Sequence, residues 1–238
     1  LGNRPLRGRR ILVTRPKHLA AGLRGLIEQA GGEAVLFPAI EIVDVPAPPA
    51  LGRLAEYDMA IFVSPTAAQR AVSLLKALPE NLSVAAVGAG TKRELERLGV
   101  SRVIAPVAGA DSEALLAVLN DVRDKRVLIL RGEGGREWLG ETLAARGAKV
   151  EYAPCYRRVR PRSDAASLPE VDAVTASSAD GLDNLLEMLG ERARDVPWFV
   201  PHARVAEHAS ARGLRKVIVA GPADDEMHAA LVAYFSRP

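Results

Sequence analysis

The chain has 238 residues, of which 48% are hydrophobic and 26% charged, so it is not a disordered chain, and it has room for two cores of about 100 to 150 residues each. Aromatic residues make up 4% and the net charge is +3 with Lys and Arg scattered, which argues against a nucleic-acid partner and fits a small or medium anionic ligand. A single cysteine, Cys155, excludes an internal disulfide. The spacing of His18, His202, His208 and His228 suggests no metal, and no apolar run approaches the roughly 20 residues of a membrane span; the expectation is a cytoplasmic protein with no membrane partner.

The first predicted unit is "ILVTRPKHLAAGLRGLIEQAGGEAVLFPAI", Ile11 to Ile40. It reads as a buried strand, a loop opening at Arg15, a helix with Leu19, Leu23, Leu26 and Ile27 on its apolar face, a glycine stop at Gly31, and a second strand ended by Pro38. The stretch "PAIEIVDVPAPP" is an extended connector. In "YDMAIFVSPT" a strand runs into Ser64 and Pro65, an N-cap with proline at the first helical position. "VAAVGAGTKRELERLGVSRVI" is read as a strand, a helix opened by a Thr91–Glu94 capping box, a stop at Gly99 and another strand.

The chain then repeats itself. "VLILRGEGGREWLGETLAARGAKVEYAPCY" answers the opening, with Arg131 at the place of Arg15, Gly147 of Gly31, Pro154 of Pro38 and Tyr156 of Ile40. "VDAVTASSAD" answers "YDMAIFVSPT", placing Asp172 on Asp58 and Ser178 on Ser64, and "WFVPHARVAEHASARGLRKVI" answers the segment from Val84, with Gly213 on Gly99. The reading is a tandem of two five-strand α/β halves, each strand followed by a helix. Two extended connectors, the second being "PCYRRVRPR", are expected to pair as a bridge between two lobes. Ligands of open parallel sheets collect beyond the carboxyl ends of the strands, where helix N-termini offer amides to anions.

The pieces "LVTRP", "FPAIEI", "FVSPTAAQRAV", "AVGAGTKREL", "LILRGEGGREWL", the tyrosine of "APCYRR" and "PHARVAEHASARG" follow one another over roughly residues 10 to 235. In that order the sequence resembles the uroporphyrinogen-III synthase family. The resemblance implies an α/β fold of two doubly wound parallel-sheet lobes joined by a two-stranded β ladder, with a discontinuous first domain. The first lobe would hold residues 1–38 and 159–238, the second 44–151, and the ladder 39–43 and 152–158. It implies a monomer with its active site in a cleft between lobes, needing no cofactor and no metal. The substrate would be a linear tetrapyrrole, hydroxymethylbilane, which loses its terminal hydroxyl and closes to uroporphyrinogen III with the last ring inverted. The proposed chemistry passes through an azafulvene and a spiro intermediate.

Under that resemblance Tyr156 is the candidate catalytic residue, a proton donor to the departing hydroxyl, with Arg158 on its face of the strand and Arg157 on the other. The alternative is that Tyr156 packs across the ladder against Ile40. The substrate's carboxylates would be taken by amides and hydroxyls at Ser64, Pro65, Thr66, Gly88, Gly90, Thr91, Gly132 and Ser178, and by Arg15, Arg131 and Arg136. Where some family members carry hydroxyl residues, this chain reads "PHARVAEHA", and His202 and Arg204 stand in as cationic partners. "RGEGGRE" lacks the Walker lysine and the GxGxxG order, so a nucleotide site is not favoured. Cys155, with no base beside it, is expected to be an apolar filler facing away from Tyr156. A non-catalytic anion-binding or regulatory module is the alternative to the enzyme.

Overall fold

Apolar runs bounded by glycine and proline become short strands, and the 3.6-residue patterns between them become helices packed on both faces of two sheets. The computed structural model describes residues 4–236 apart from 76, 108 and 110. In chain order the elements are β1 (Arg10–Val13), α1 (Ala21–Gln29), β2 (Glu33–Leu36), β3 (Glu41–Val43), β4 (Met59–Phe62), α2 (Pro65–Ser73), β5 (Ser83–Ala86), α3 (Ala89–Arg97) and β6 (Val103–Ile104). There follow α4 (Ser112–Val118), β7 (Arg126–Gly132), α5 (Trp138–Ala145), β8 (Lys149–Val159), β9 (Ala173–Thr175), α6 (Ala179–Leu189), β10 (Trp198–Val200), α7 (Ala203–Ala211), β11 (Val217–Val219) and α8 (Asp224–Phe235).

The chain divides into two compact units, one of Leu1–Glu41 with Val159–Pro238 and one of Ile42–Arg158. The first holds a sheet of order β11-β10-β9-β1-β2, and the second a sheet of order β3-β8-β7-β4-β5-β6. The repeat halves are therefore exchanged: β1 and β2 complete a sheet begun by β9 to β11, and β7 and β8 complete one begun by β4 to β6. The junctions are the parallel pairs β1–β9 and β4–β7. Each is clasped at its start by the same residue of the repeat. Asp172 accepts the Arg10 amide at 2.8 Å, and Asp58 accepts the Arg126 amide at 2.8 Å.

Because strand side chains alternate and both faces are covered, every central strand feeds two cores. In the second unit Ala60, Phe62, Leu128 and Leu130 face α2 and α3 through Ala67, Ala71 and Leu95. Ile61, Val127 and Ile129 face α4 and α5 through Leu115, Leu116, Leu139 and Leu143. In the first unit Leu12, Val174 and Trp198 face α6 and α7, while Ile11, Val13 and Phe199 face α1 and α8.

Four helices stop in the same way. Gly31, Gly99, Gly147 and Gly213, which follow α1, α3, α5 and α7, have φ of 86°, 88°, 91° and 86°. In each case the next amide reaches back to the last turn, as Ala148 N does to Leu143 O at 3.0 Å; this is the Schellman closure, which needs a left-handed residue.

Three expectations need correction. Strands β2 and β8 do not lead into helices: β3 and β8, the two connectors, are hydrogen-bonded neighbours at the edge of the six-stranded sheet. Pro154 does not end its strand, because β8 runs on to Val159 over a bulge where Arg131 pairs Pro154 and Gly132 pairs Tyr156. The bulge leaves Cys155 as the extra residue and absorbs a proline that would break a regular ladder. Finally, Thr91 is not an N-cap. Gly88 occupies that position with extended backbone, α3 starts at Ala89, and Glu94 bonds Gln69 and Arg97 instead.

Replacing Gly147 by alanine puts a Cβ on a φ of 91° and 3.2 Å from Arg123 Cγ. The expected cost is about 1 to 2 kcal/mol, read as a lower urea midpoint. Gly25→Ala, inside α1 where a Cβ meets nothing within 4 Å, should instead gain about 0.5 to 1 kcal/mol.

Candidate active site

Strand order reverses between β4 and β7 in one sheet and between β9 and β1 in the other, and an open parallel sheet binds its ligand beyond the carboxyl ends at such a switch point. The sequence candidates fall at these ends. Ser64, Pro65 and Thr66 follow β4, Gly88 and Gly90 follow β5, and Arg131 and Gly132 close β7, with Arg136 in the loop beyond. In the first unit Arg15 follows β1, Ser178 follows β9, and His202 and Arg204 follow β10.

In the second unit the candidates Ser64 and Tyr156 meet, with Arg158 beside them. The Ser64 hydroxyl lies 3.1 Å from the Tyr156 hydroxyl, and Arg158 Nη2 donates to the same phenol oxygen at 3.3 Å. Ser64 is placed by its role as N-cap of α2, accepting the Ala67 amide at 3.0 Å. Tyr156 is placed by the bulge, which turns its ring onto Gly132; a Cβ there would stand 2.7 Å from the ring. Glycine at that position is thus a requirement of the tyrosine. The bulge also overturns the expected facing of Cys155: both Cys155 and Tyr156 are buried in the core that α2 and α3 cover. Burial pushes the Cys155 thiol up to about 11.

Other candidates are committed to structure. Arg131 stacks 4.0 Å over the Tyr152 ring, donates to Arg136 O at 3.2 Å and pairs with Glu137 at 3.7 Å. Arg15 donates to Pro222 O at 2.9 Å and pairs with Asp224 at 2.7 Å. Thr91 is 4% exposed, inside α3 rather than at its mouth. Ser178 caps α6 through the Gly181 amide, but Asp180 occupies the first turn of that helix.

Helices α1, α2, α3 and α7 have no acid in the first turn, but Asp224 of α8 lies against Gly22 at the start of α1, which leaves α2, α3 and α7 attractive to anions. In α3 and α7 the N-caps, Gly88 and His202, place no side chain on the amides. Among the described residues Arg136, Arg158, His202 and Arg204 make no ion pair. The contact of Ser64 with Tyr156, 92 residues apart in the chain, had no local signal in the sequence; only the shared switch point of two paired halves pointed to it.

Two doubly wound parallel sheets, interleaved so that each is finished by strands from the other repeat, define a class of two-unit α/β proteins with sites at the carboxyl ends of their strands. Within that class the chain belongs to the uroporphyrinogen-III synthase family: the family model described as Uroporphyrinogen-III synthase HemD matches residues 21–229. It is 32% identical to the Uroporphyrinogen-III synthase of Salmonella typhimurium, over 91% of this chain and 96% of that protein. Identity and coverage are the same for the Escherichia coli synthase. Its fold is that of the Helicobacter pylori synthase structure, at a TM-score of 0.67, 15% identity, and coverage of 95% and 99%. A Thermus thermophilus synthase structure gives 0.64 at 20% identity, covering 95% and 97%. The chain is accordingly an enzyme of porphyrin biosynthesis, a cyclising lyase acting on a tetrapyrrole substrate, and the non-catalytic alternative is set aside. Among the described residues no helix is long and apolar enough to cross a membrane.

With a thiol held near 11 and 4% exposed, Cys155 should react with iodoacetamide at pH 8 at least about 100-fold more slowly than in the urea-unfolded chain. Mass spectrometry of the labelled chain checks this, and equal rates would show the bulge to be open.

Proposed function

We propose that Tyr156, Ser64 and Arg158 form the proton-delivery site of the synthase, and that amides at the starts of α2 and α3 hold carboxylates of the substrate. The observation that carries this is the phenol hydroxyl of Tyr156, joined to Ser64 on one side and Arg158 on the other at the carboxyl end of the sheet.

Hydroxide is a poor leaving group, so the first step needs a proton on the departing oxygen. Tyr156 is 1% exposed, whereas Ser64 is half-buried, which makes Ser64 the outward member. Arg158 donates to the phenol oxygen and the phenol donates to Ser64 Oγ. Ser64 Oγ also accepts the Ala67 amide, so its own hydrogen is left for the substrate. As the C–O bond breaks, Ser64 gives that proton to the leaving hydroxyl and takes the proton of Tyr156. Water departs with the bonding pair, and the phenolate is held beside the Arg158 guanidinium. The pyrrole's own electrons form the azafulvene, and ring inversion follows from the conformer in which the chain is held.

For binding, the Thr66 amide and the amides of residues 89–91 are the sites this reading favours, with Arg136 as a cation. Ser178, Arg15 and Arg131 serve the fold, for the reasons of Asp180, Asp224 and Tyr152 above. Thr91 contributes its backbone only. A free, buried Cys155 asks for no oxidising compartment, and the reading is a monomer in the cytoplasm.

Tyr156→Phe should lower kcat by about 100-fold or more, the usual worth of a general acid, with KM for hydroxymethylbilane little changed. The lost hydroxyl contacts cost about 1 kcal/mol of stability, followed by thermal melting. Formation of the type III isomer, separated from type I by chromatography, reads the activity. Turnover equal to that of the parent chain would return Tyr156 to a purely structural role.

A further inference from the structure

The loop from Glu133 to Glu137 is glycine-rich in its middle, with Gly134 and Gly135 at φ of 72° and 93°, yet tied down where it enters α5. Arg131 holds Arg136 O and Glu137 from below, and the Tyr152 hydroxyl donates to Glu137 O at 3.0 Å. Tyr152 in turn packs against Gly140, where a Cβ would lie 2.1 Å from its oxygen. The buried face of α5 is Leu139, Gly140 and Leu143. Trp138, the first residue of the helix, is outside that face and 39% exposed.

In a helix the Cα–Cβ bond leans toward the N-terminus. For the first residue of α5 that direction is the carboxyl end of the second unit's sheet, on the face covered by α4 and α5, with Ser64 and Tyr156 at the same end on the face covered by α2 and α3. Arg136, two residues earlier, is exposed and makes no ion pair among the described residues. An indole face on a pinned base, next to an uncommitted guanidinium, matches a flat, electron-rich ring that carries carboxylates.

We propose that Trp138 is a positioning residue for the substrate: one pyrrole ring of the linear tetrapyrrole stacks on the indole while Arg136 takes a carboxylate of that ring. This rests on the reading that the substrate lies at the carboxyl end of the second unit's sheet. The stack fixes one ring while the chain folds back, and so bears on which carbon meets the azafulvene.

The test is steady-state kinetics with hydroxymethylbilane for the parent chain, Trp138→Leu, Trp138→Phe and Arg136→Gln, with circular dichroism to follow folding. Loss of one ring stack is expected to raise KM about tenfold in Trp138→Leu with kcat within about twofold, and phenylalanine to restore most of the affinity. Arg136→Gln, at an exposed side chain, should raise KM by several-fold without touching the packing of α5. A KM in Trp138→Leu equal to the parent's, or a Trp138→Phe variant as impaired as Trp138→Leu, overturns the proposal. So does a loss confined to kcat. Should Trp138→Leu fail to fold, an unchanged KM in Arg136→Gln overturns it. Failure of the underlying reading shows elsewhere, as a Tyr156→Phe variant that turns over as fast as the parent chain.

Discussion

The parallel pairing of β4 with β7, and of β9 with β1, is the contact on which the rest of the structure depends. Each joins strands from opposite halves of a repeated sequence, and each is fastened at its amino end by an aspartate, Asp58 or Asp172, whose carboxylate accepts the first amide of the neighbouring strand. A buried parallel strand must satisfy its amides within the sheet, and the first one has no partner strand residue to turn to. The carboxylate supplies it. Once those two pairs are formed, strand order reverses across them, helices fall on both faces, and the loops that follow β4 and β7 are brought side by side. The candidate site is a consequence of that reversal.

What the reversal provides is a rigid floor. Ser64 is held because it caps a helix, Gly132 because a tyrosine ring occupies the space of its Cβ, and Arg131 because it braces the next loop against Tyr152. Few of these residues are available to do anything else. Arg136, exposed and without an ion pair among the described residues, has no such duty at this end of the sheet, whereas Arg158 is turned onto Tyr156. Such a division suits a substrate whose reactivity is its own, because the protein has mainly to hold atoms in place and to move one proton.

The repeat carried most of the architecture in plain view: matched Asp58 and Asp172, Ser64 and Ser178, and four glycine stops each predicted an element that the fold contains. These were legible because caps and left-handed stops are local, chosen by a residue's own backbone and hydroxyl. Tyr156 was picked out together with Arg158 on its face, but the contacts with Ser64 and Gly132 and the facing of Cys155 were not. Strict alternation along "APCYRR" puts Cys155 and Tyr156 on opposite faces, and one extra residue against β7 cancels it. Thr91 misled for a related reason: the helix start was set by how soon the chain turns after β5, at Gly88, not by the nearest hydroxyl with a glutamate three residues on. Bulges and the length of a turn are decided by the partner strand, and a single segment holds no record of its partner.

The exchange of strands also orders events in time. Ribosomes add about 5 to 20 residues each second, and the unit of Ile42–Arg158 is one continuous stretch, complete before the strand β9 at Ala173–Thr175 is made. Strand β1, with its fully covered Ile11, Leu12 and Val13, meets β9 only after that whole middle segment has emerged. The nascent chain thus carries an adhesive strand edge until β9 is made, and closure of the middle unit before then shortens the list of wrong partners that edge can find.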